Sequence, residues 1–399
     1  MKTIFLASGQ SSRMNPISDK NLLEFCGEPL VLKLLKNAEE GGLKNFIVVT
    51  NKDNHDEIKN ILSENNFSAE ITIQKDLNEG MAGGITDGLE FVSDSDSVFV
   101  LGGNDFVEPR IYDLIVKKSK DFDGGILAKK VDQYFPGGYL EINKYNKITS
   151  IIEKPGKGNE PSDLVNIIGH FFKNAGDIKT ELKNADSTKD DVYEVALDQL
   201  FQTKNFIAVE YNDIWQAIKY PWHVLEMMNV FLDKQEGSIA KSAEIAKSAT
   251  IKGDNVVIDD GAKIFENAVI IGPCYIGKNA VVGNNALVRN SILGESSVAG
   301  YNTEIARSFL ANNVTTHIAY LGDSIVDSNV NFGAYSCTAN LRLDKRTVQV
   351  KVKMDKVDSL HKKLGAIVGS GAQIGIHAKI MPGAKIKKDG FIKPGNTAS

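Results

Sequence analysis

The feature that most constrains the fold is a six-residue repeat of Ile and Val in the C-terminal part of the chain. An α-helix has a period of 3.6 residues and cannot keep this repeat on one face. A parallel β-helix can, because each hexad forms one flat wall and three hexads complete a coil. The repeated positions are Ile239, Ile245, Ile251, Ile258, Ile264, Ile270, Ile276, Val282, Val288, Val368, Ile374, Ile380, Ile386 and Ile392.

The repeat predicts a left-handed parallel β-helix of the hexapeptide-repeat type over residues 233–399. The repeat weakens between residues 296 and 364, in the stretches 301–321 and 341–364. Insertions in solenoids map to one face and often build the binding surface. These stretches are therefore candidates for such a surface, and merely tolerated loops are the alternative.

Residues 1–232 follow another pattern, in which short β-rich runs alternate with helix-like stretches. Strands are predicted at 3–6, 46–50, 71–74 and 97–101, and helices at 30–40, 55–64 and 84–92. This order is typical of a Rossmann-like α/β domain with a mostly parallel sheet covered on both faces. Ligands of such sheets bind beyond the C-terminal strand ends, so the loops at 7–14 and 102–105 are candidate binding loops.

Charge and cysteine content restrict the function classes. Lys plus Arg number 46 and Asp plus Glu number 51, a net charge of −5, so the concentrated positive field of a nucleic-acid binder is missing. Cys26, Cys274 and Cys337 are odd in number and far apart, which favours a reducing cytoplasm over a disulfide framework. The first residues resemble neither a signal peptide nor a membrane span. We expect a cytoplasmic protein without nucleic-acid or membrane partners.

The loop after the first predicted strand carries small residues and is followed by two basic ones. It runs from Leu6 to Met14, with Arg13 inside it and Lys20 beyond it. Small residues after a buried strand let backbone N–H groups approach phosphate oxygens. Taken alone, one glycine and two bases also fit an ordinary surface turn.

Together with later motifs, this loop resembles the sugar-phosphate nucleotidylyltransferases, whose signature is L-A-A-G-x-G-T-R-M followed by P-K and G-K-P. The step from Arg13 to Lys20 matches the branch that makes UDP-N-acetylglucosamine. The remaining family landmarks occur in order at Asp19-Lys20, Gly27-Glu28-Pro29, Gln74, Glu79 to Ala82, Gly103-Asn104-Asp105, Gly138-Tyr139, Glu153-Lys154-Pro155, Asn166, Trp215 and Pro221-Trp222.

The resemblance implies a reaction in which a sugar phosphate oxygen attacks the α-phosphorus of a nucleoside triphosphate and pyrophosphate leaves. Arg13 and Lys20 would steady the pyrophosphate, and Asp105 would hold Mg²⁺. Implied nucleotide contacts are Leu6, Ala7, Ser8, Gly9, Gln74 and Gly80, and implied sugar-phosphate contacts are Gly138, Glu153, Lys154 and Asn166. A surface ion pair for Glu153 and Lys154 and a turn aspartate at position 105 are the structural alternatives.

The chain departs from the family pattern within these motifs. The departures are Ser11 for the loop glycine, Asp19 for the proline before the lysine, Gly83 and Gly84 where relatives often carry a side chain over the base, Ile168 for the glycine of N-x-G, and Ala217 for the second metal ligand. Asp213 is the carboxylate that would substitute for Ala217. These departures raise the alternative that nucleotidyl transfer has been lost.

A second constellation lies in the β-helix, where His317 to Ser324 precedes Asn329 to Ala334 and Asn340. It resembles the acetyltransferase domain of bifunctional GlmU-type enzymes and their archaeal counterparts, with the pattern H-x-x-Y-L-G-D-S, N-x-G-A-G-T and x-x-N. The resemblance implies that His317 is the base, since a neutral His accepts a proton at pH 7. Implied substrate contacts are Tyr320, Asn331, Asn340 and Arg346, with Lys345 or Lys351 as alternatives to the arginine. Tyr335 replaces the second glycine of G-A-G, and Ala306 stands where a lysine is common.

The sequence thus predicts a homotrimeric bifunctional transferase that makes a UDP-N-acetylhexosamine-type nucleotide sugar. Its expected substrates are a nucleoside triphosphate and a hexose or hexosamine 1-phosphate, with acetyl-CoA as co-substrate and Mg²⁺ as cofactor. The family resemblance favours UTP as the nucleoside triphosphate. One alternative is an enzyme that retains only one of the two activities. Another is a non-catalytic trimer that binds nucleotide sugars.

Overall fold

The computed structural model describes residues 1–189 and 191–399. Their contacts form two compact units, which do not follow a single cut in the sequence. The first unit contains Met1–Gln10 and Val31–Trp215, and the second contains Ser11–Leu30 and Gln216–Ser399. The domain boundary at residue 232, which rests on the change of sequence pattern, stays a prediction.

The region before the β-helix contains these elements: β1 Lys2–Leu6, β2 Glu24–Phe25, β3 Glu28–Pro29, α1 Leu30–Glu40, β4 Phe46–Thr50, α2 His55–Glu64, β5 Ala69–Ile73, α3 Gly80–Leu89, β6 Val98–Gly102, β7 Asp105–Val107, α4 Arg110–Lys118, β8 Gly124–Lys130, β9 Gly138–Ile142, β10 Ile148–Glu153, β11 Leu164–Phe172, α5 Ala175–Asn184, α6 Val192–Thr203, β12 Phe206–Glu210, β13 Trp215–Ala217 and α7 His223–Lys234. Short 3₁₀ turns lie at Lys20–Leu22 and Leu77–Glu79. The predicted helices at 30–40 and 55–64 and the strand at 46–50 have these bounds.

The sheet of the first unit has the strand order β10-β9-β11-β6-β1-β4-β5, with β8 between β11 and β12. Strands β6, β1, β4 and β5 are parallel, as predicted. Strand β11 is antiparallel to β6, β8 and β9, so the sheet as a whole is mixed. Strands β1 and β6 are neighbours, and Leu6 pairs with Gly102. The two predicted binding loops therefore leave the same edge of the sheet.

Helix α3 begins at Gly80, four residues earlier than the sequence predicts. Glycine disfavours a helix interior, and the three glycines at 80, 83 and 84 hide the start of the helix from the sequence pattern. Packing explains why they are tolerated: a Cβ on Gly88 would lie 2.8 Å from Ile4 Cγ2 of β1. Helix α3 can pack closely against β1 because its glycines carry no side chain.

The C-terminal region is the predicted left-handed parallel β-helix with three walls. The first wall contains Ser238–Ile239, Val256–Ile258, Cys274–Ile276, Ile292–Leu293, Phe309–Leu310, Ile325–Val326, Ile367–Val368 and Lys385–Ile386. The second contains Glu244–Ile245, Lys263–Ile264, Val281–Val282, Val298–Ala299, Thr315–Thr316, Asn331–Phe332, Gln373–Ile374 and Phe391–Ile392. The third contains Thr250–Lys252, Val269–Ile271, Leu287–Arg289, Glu304–Ala306, Tyr320–Gly322, Cys337–Thr338, Lys379–Ile380 and Thr397–Ala398.

The repeated aliphatic residues form the core of this helix, where Ile258, Ile276 and Val282 are fully buried. Many of its corner residues are asparagines in the left-handed backbone region, with Asn279 at φ 55° and Asn313 at φ 58°. Asparagine tolerates this region better than most residues, which explains its frequency between the walls.

The two stretches with a weak repeat behave differently. Residues 301–321 remain within the coils, with shorter corners, as Glu304 to Ala306 pair with Tyr320 to Gly322. Residues 341–364 leave the coil and contain the antiparallel hairpin of Gln349–Val352 and Asp355–Asp358. The insertion is anchored by His361, whose Nε2 lies 2.9 Å from Glu226 Oε1 of α7.

Residues 15–27, which we call the strap, run along the first wall of the β-helix. Lys385 Nζ donates to Asn15 O at 2.6 Å, and Ser18 N donates to the buried Asp327 Oδ2 at 2.9 Å. The remaining contacts are Asn312 Nδ2 to Glu24 Oε2 at 2.9 Å, the Phe25 ring against those of Phe309 and Phe231 at 5.1 and 5.4 Å, and Gly27 beside the Tyr275 hydroxyl. The strap is thus fixed along several successive coils.

Candidate functional sites

The loop after β1 is held by two asparagines that the motif analysis does not identify. Asn51 Nδ2 donates to Ser8 O at 3.0 Å, and Asn54 Nδ2 donates to Ala7 O at 2.9 Å. Both asparagines are buried and also cap each other's backbone, with Asn54 N donating to Asn51 Oδ1 at 3.0 Å. These hydrogen bonds to the carbonyl oxygens of Ala7 and Ser8 fix the backbone of the loop up to Gly9. A Cβ built on Gly9 would have no neighbour within 4 Å. The sequence signal for this role was two polar residues soon after the fully buried strand β4.

Gln74 lies against the start of α3, and its amide group is oriented by two backbone carbonyls. Its Nε2 donates to Asp76 O at 2.9 Å and to Gly80 O at 2.8 Å. A Cβ on Gly83 would lie 2.9 Å from Gln74 Nε2, and one on Gly84 would lie 3.1 Å from Oε1. The two unusual glycines therefore make room for the Gln74 side chain. With both N–H hydrogens engaged, the amide offers an acceptor oxygen to a ligand.

Two departures from the family pattern, Ser11 and Asp19, interact with each other. Ser11 is in the left-handed region at φ 51°, where glycine has no steric cost. Its Oγ donates to Asp19 Oδ1 at 3.3 Å and lies 3.4 Å from Lys20 N, which donates to it. Asp19 also accepts the Asn21 N–H at 3.0 Å and so caps the short turn that carries Lys20. These hydrogen bonds use side-chain oxygens that glycine and proline do not have.

Arg13 and Lys20 belong to the compact unit that includes the β-helix, whereas Gln74, Gly80 and Asp105 belong to the first unit. Arg13 is exposed and Lys20 is partly buried. The strap, which follows Arg13 and contains Lys20, is held by Asp327 and Lys385 of the β-helix. Burial lowers the pKa of Lys385, whose amino group donates to the Asn15 carbonyl.

Asp105 follows the loop after β6, beside the loop after β1, since Gly103 N donates to Leu6 O at 2.9 Å. Trp215 Nε1 donates to Asp105 Oδ1 at 2.8 Å, and the indole packs against Phe135 with ring centroids 4.9 Å apart. Asp213, the carboxylate expected to substitute for Ala217, accepts from Arg110 NH2 at 2.7 Å, and its role in metal binding stays a prediction. Within residues 1–189 and 191–399, no group of three or more His, Cys, Asp or Glu is arranged to hold a metal ion.

The predicted sugar-phosphate residues come from three neighbouring strands. Gly138 of β9 is the register partner of Glu153 of β10, and Asn166 of β11 follows Val165, which pairs with Tyr139. A Cβ on Gly138 would lie 3.3 Å from Glu153 Oε2, so the glycine leaves room for this carboxylate. Lys154 Nζ lies 2.6 Å from Glu153 Oε1, so the two side chains form an ion pair, and the Glu153 side chain is largely buried.

The third wall of the β-helix carries a polar cluster built around Asp323. Arg307 Nε and NH2 donate to the two Asp323 oxygens at 2.7 and 2.8 Å, and Asn340 Nδ2 donates to Asp323 Oδ2 as well. Asn340 Nδ2 also lies 3.2 Å from Tyr320 Oη, so the predicted contacts Tyr320 and Asn340 are brought together. Asp323 lies within the motif and Arg307 follows Ala306, but no role was predicted for either residue from the sequence. The hydrogen bonds to Asp323 raise the pKa of Arg307, which stays charged.

The other predicted acetyltransferase residues lie at three further positions of the C-terminal region. His317 is exposed at the corner between the second and third walls. Asn331 lies on the second wall, where its Oδ1 accepts from Thr315 Oγ1 at 2.7 Å. Arg346 is exposed on the insertion, just before the hairpin. Tyr335 is at the same corner as Ile318, since its N–H donates to Ile318 O at 2.9 Å, and its ring stacks on His377 at 5.0 Å.

Comparison with known proteins covers both halves of the chain. Residues 2–218 match the Nucleotidyl transferase family, and residues 234–353 match the GMPPB C-terminal domain. A "Bifunctional protein GlmU" of Methanococcus maripaludis strain C7 is 36% identical over 397 residues, 98% of this chain and 93% of that protein. The chain belongs to the GlmU-type bifunctional transferase family. The resemblance inferred from the motifs is thereby confirmed.

Two further relatives of this GlmU-type chain have the same extent. One is a "Bifunctional protein GlmU" of M. maripaludis strain C5, 32% identical over 98% of this chain and 93% of that protein. The other is a "Bifunctional sugar-1-phosphate nucleotidylyltransferase/acetyltransferase" of Sulfurisphaera tokodaii, 29% identical over 99% of this chain and 96% of that protein. No described helix is long and apolar enough to cross a bilayer, and the three cysteines are free.

Proposed function

We propose that this protein is a bifunctional enzyme that acetylates an amino-sugar 1-phosphate and couples the product to a nucleotide. The observation that carries the proposal is the full-length similarity to proteins named for both activities, in a chain that retains both motif sets. The β-helix would use acetyl-CoA, and the region that matches the Nucleotidyl transferase family would release pyrophosphate. We expect a cytoplasmic enzyme whose product is a nucleotide sugar of the UDP-N-acetylhexosamine type. The starting sugar is expected to be glucosamine 1-phosphate or galactosamine 1-phosphate.

In nucleotidyl transfer, the protein would act by positioning and by neutralising charge. Backbone N–H groups of Ser8 and Gly9 would approach the phosphates, with the loop fixed through Asn51 and Asn54. Arg13 and Lys20 would stabilise the leaving pyrophosphate. Glu153 and Asn166 would orient the sugar phosphate, and Lys154 would supply charge beside it.

The residues present fit a Mg²⁺ ion that is shared with the nucleotide. Mg²⁺ is commonly bound by one or two carboxylates together with phosphate oxygens and water. Asp105 provides one carboxylate, oriented by Trp215, and the methyl group of Ala217 adds no ligand. When bound, the ion would neutralise phosphate charge. Asp105 is therefore the side chain we assign to hold it.

The orientation of Gln74 supports UTP as the nucleotide. Its Nε2 hydrogens are engaged by Asp76 and Gly80, so its free function is the acceptor Oε1. The N3–H of uracil is a donor, whereas the corresponding ring nitrogens of cytosine and adenine are acceptors. An acceptor at this position selects bases that present an imide or amide N–H and disfavours ATP and CTP.

In acetyl transfer, His317 would accept the proton of the attacking amine. Tyr320, Asn331, Asn340 and Arg346 would bind the sugar phosphate, with the Arg307–Asp323 pair fixing Asn340. The proposal includes a homotrimer in which neighbouring β-helices complete the acetyltransferase site, as the family resemblance implies.

The experiment that tests the proposal measures pyrophosphate release with Mg²⁺ over a grid of nucleoside triphosphates and hexose or N-acetylhexosamine 1-phosphates. We expect release with UTP and an N-acetylhexosamine 1-phosphate, and acetyl-CoA turnover with the corresponding amine. If no substrate pair releases pyrophosphate but acetyl transfer occurs, the protein is an acetyltransferase whose nucleotide domain has lost its activity. Silence in both assays from folded protein would favour a nucleotide-sugar-binding trimer.

We predict that Asp327→Ala in the β-helix lowers kcat/KM for nucleotidyl transfer by about tenfold. The variant removes the acceptor of the Ser18 N–H, and loss of a partner for a part-buried donor costs about 1–3 kcal/mol. Asp327→Asn keeps an acceptor oxygen and is expected to retain most activity. Asp260→Ala, at an exposed corner, is the matched control. Unchanged nucleotidyl transfer in Asp327→Ala would show that the strap contact does not position Arg13 and Lys20.

A further inference from the structure

A buried histidine, His170, lies between Asn166 and Tyr193. Its Nε2 is 2.7 Å from Asn166 Oδ1, and its Nδ1 is 2.6 Å from the Tyr193 hydroxyl. His170 has no exposed surface and Tyr193 is 1% exposed. The family motif that includes Asn166 assigns no role to either residue. Their chemistry therefore remains to be explained.

The protonation states of these two side chains follow from burial. Burial lowers the pKa of His170 to about 3, against a smaller opposing hydrogen bond with the Ile167 backbone, so the imidazole is neutral. Burial also raises the pKa of Tyr193 well above its ordinary value, so the phenol keeps its hydrogen. A neutral imidazole has one nitrogen that donates and one that accepts. The tautomer decides which group faces Asn166.

One arrangement satisfies every group in the row. The Tyr193 hydroxyl donates to His170 Nδ1, and His170 Nε2–H donates to Asn166 Oδ1. With the opposite tautomer, the hydroxyl oxygen would accept from Nδ1–H, and its own hydrogen would lose this acceptor within the core. An unsatisfied buried donor costs about 1–3 kcal/mol, which favours the first arrangement. The carbonyl end of Asn166 is then occupied, and its amide hydrogens remain for a ligand.

We propose that His170 and Tyr193 are positioning residues that fix the Asn166 amide with its N–H donors toward an acceptor oxygen of the sugar phosphate. This inference rests on the proposed nucleotidyl transfer and specifies how its sugar site is oriented. It also explains why a histidine is buried without a charge partner in a transferase core. Hydrogen bonds then run in one direction, from Tyr193 of α6 to His170, from His170 to Asn166, and from Asn166 to the proposed substrate.

A pair of variants separates positioning from packing. The terminal amide of glutamine reaches about as far as histidine Nε2, whereas that of asparagine reaches only about as far as Nδ1. We expect His170→Asn to raise KM for the sugar 1-phosphate by about tenfold, with KM for the nucleotide unchanged. His170→Gln should stay within about threefold of wild type for both substrates. Equal losses in the two folded variants, or equal changes in the two KM values, would overturn the proposal.

Asn166→Asp tests which end of the amide faces the sugar. The aspartate can still accept from His170 Nε2–H but presents no donor. We expect kcat/KM for the sugar 1-phosphate to fall at least tenfold. Activity near that of wild type would mean that Asn166 offers its oxygen to the sugar, and the proposal would be wrong.

A spectroscopic measurement tests the row independently of turnover. In protein labelled with ¹⁵N-histidine, the His170 signals, assigned by their loss in His170→Gln, should show a protonated Nε2 and a bare Nδ1. The reverse pattern would overturn the proposal even if the enzyme is active. The expected pattern in a protein that releases no pyrophosphate would uphold the row and reject the proposed function instead.

Discussion

Replacement of His317 by alanine is expected to lower kcat for acetyl transfer by about 10³-fold, the range expected for loss of a general base. The side chain is exposed at a corner of the β-helix, so its removal leaves the buried aliphatic core of the coils intact. Nucleotidyl transfer should stay within about twofold of wild type, because His317 is assigned to the other activity. The measurement is acetyl-CoA turnover with the amino-sugar 1-phosphate, beside pyrophosphate release from the same preparation.

His377→Ala is the matched control for this variant. His377 lies at the equivalent corner two coils further along, where it stacks on Tyr335, and we assign it no proton transfer. We expect its acetyl transfer to remain within about threefold of wild type. If His317→Ala acetylates as fast as this control, His317 is not the base. If it loses both activities in a folded protein, the two-site assignment fails.

Replacement of Lys20 by alanine is expected to lower nucleotidyl transfer by about 10²-fold or more, the effect of losing one group that stabilises developing charge. The backbone at this position should survive the change. Asp19 caps the short turn through the Asn21 N–H, and the Lys20 N–H donates to Ser11 Oγ without using the lysine side chain. The rate of pyrophosphate release at saturating nucleotide and sugar phosphate gives the effect directly.

Lys117→Ala is a matched control, because Lys117 pairs with Asp113 on the surface of α4. Its activity should equal that of wild type. Acetyl transfer by Lys20→Ala should also be unchanged, which shows that the protein is folded. An unchanged pyrophosphate rate in Lys20→Ala would remove Lys20 from the site.

Ser11 and Asp19 show how two isolated departures become one structural feature. In the sequence, Ser11 takes the place of a glycine that allows close approach to phosphate, and Asp19 adds negative charge beside a predicted phosphate site. In the structure, the Ser11 hydroxyl is turned to Asp19, and Asp19 caps the turn that carries Lys20. The interaction of Ser11 with Asp19 depends on a backbone conformation, φ 51° at Ser11, that no residue pattern specifies.

The sequence by itself determined the architecture of both halves. A six-residue aliphatic repeat predicts a β-helix, which gathers most of the repeated side chains in its core, and alternating strands and helices predict the α/β unit. The sequence also predicted that Gly138, Glu153 and Asn166 act together. They belong to family motifs that keep their order along the chain even where the loops between them differ. The parallel strands were predicted because strands alternate with helices along the chain, but the antiparallel placement of β11 was not, since strand direction leaves no local signal.

Tertiary structure alone decided which side chains support those motifs. Asn51 and Asn54 reach the loop after β1 because β1 and β4 are neighbours, and Asp327 reaches Ser18 because the strap runs along the first wall. His170 orients Asn166 through a bulge in β11 and a tyrosine from α6. These contacts join residues far apart in the chain through hydrogen bonds of fixed length and direction. Such bonds depend on the packed backbone, and residue types and spacing do not encode them locally.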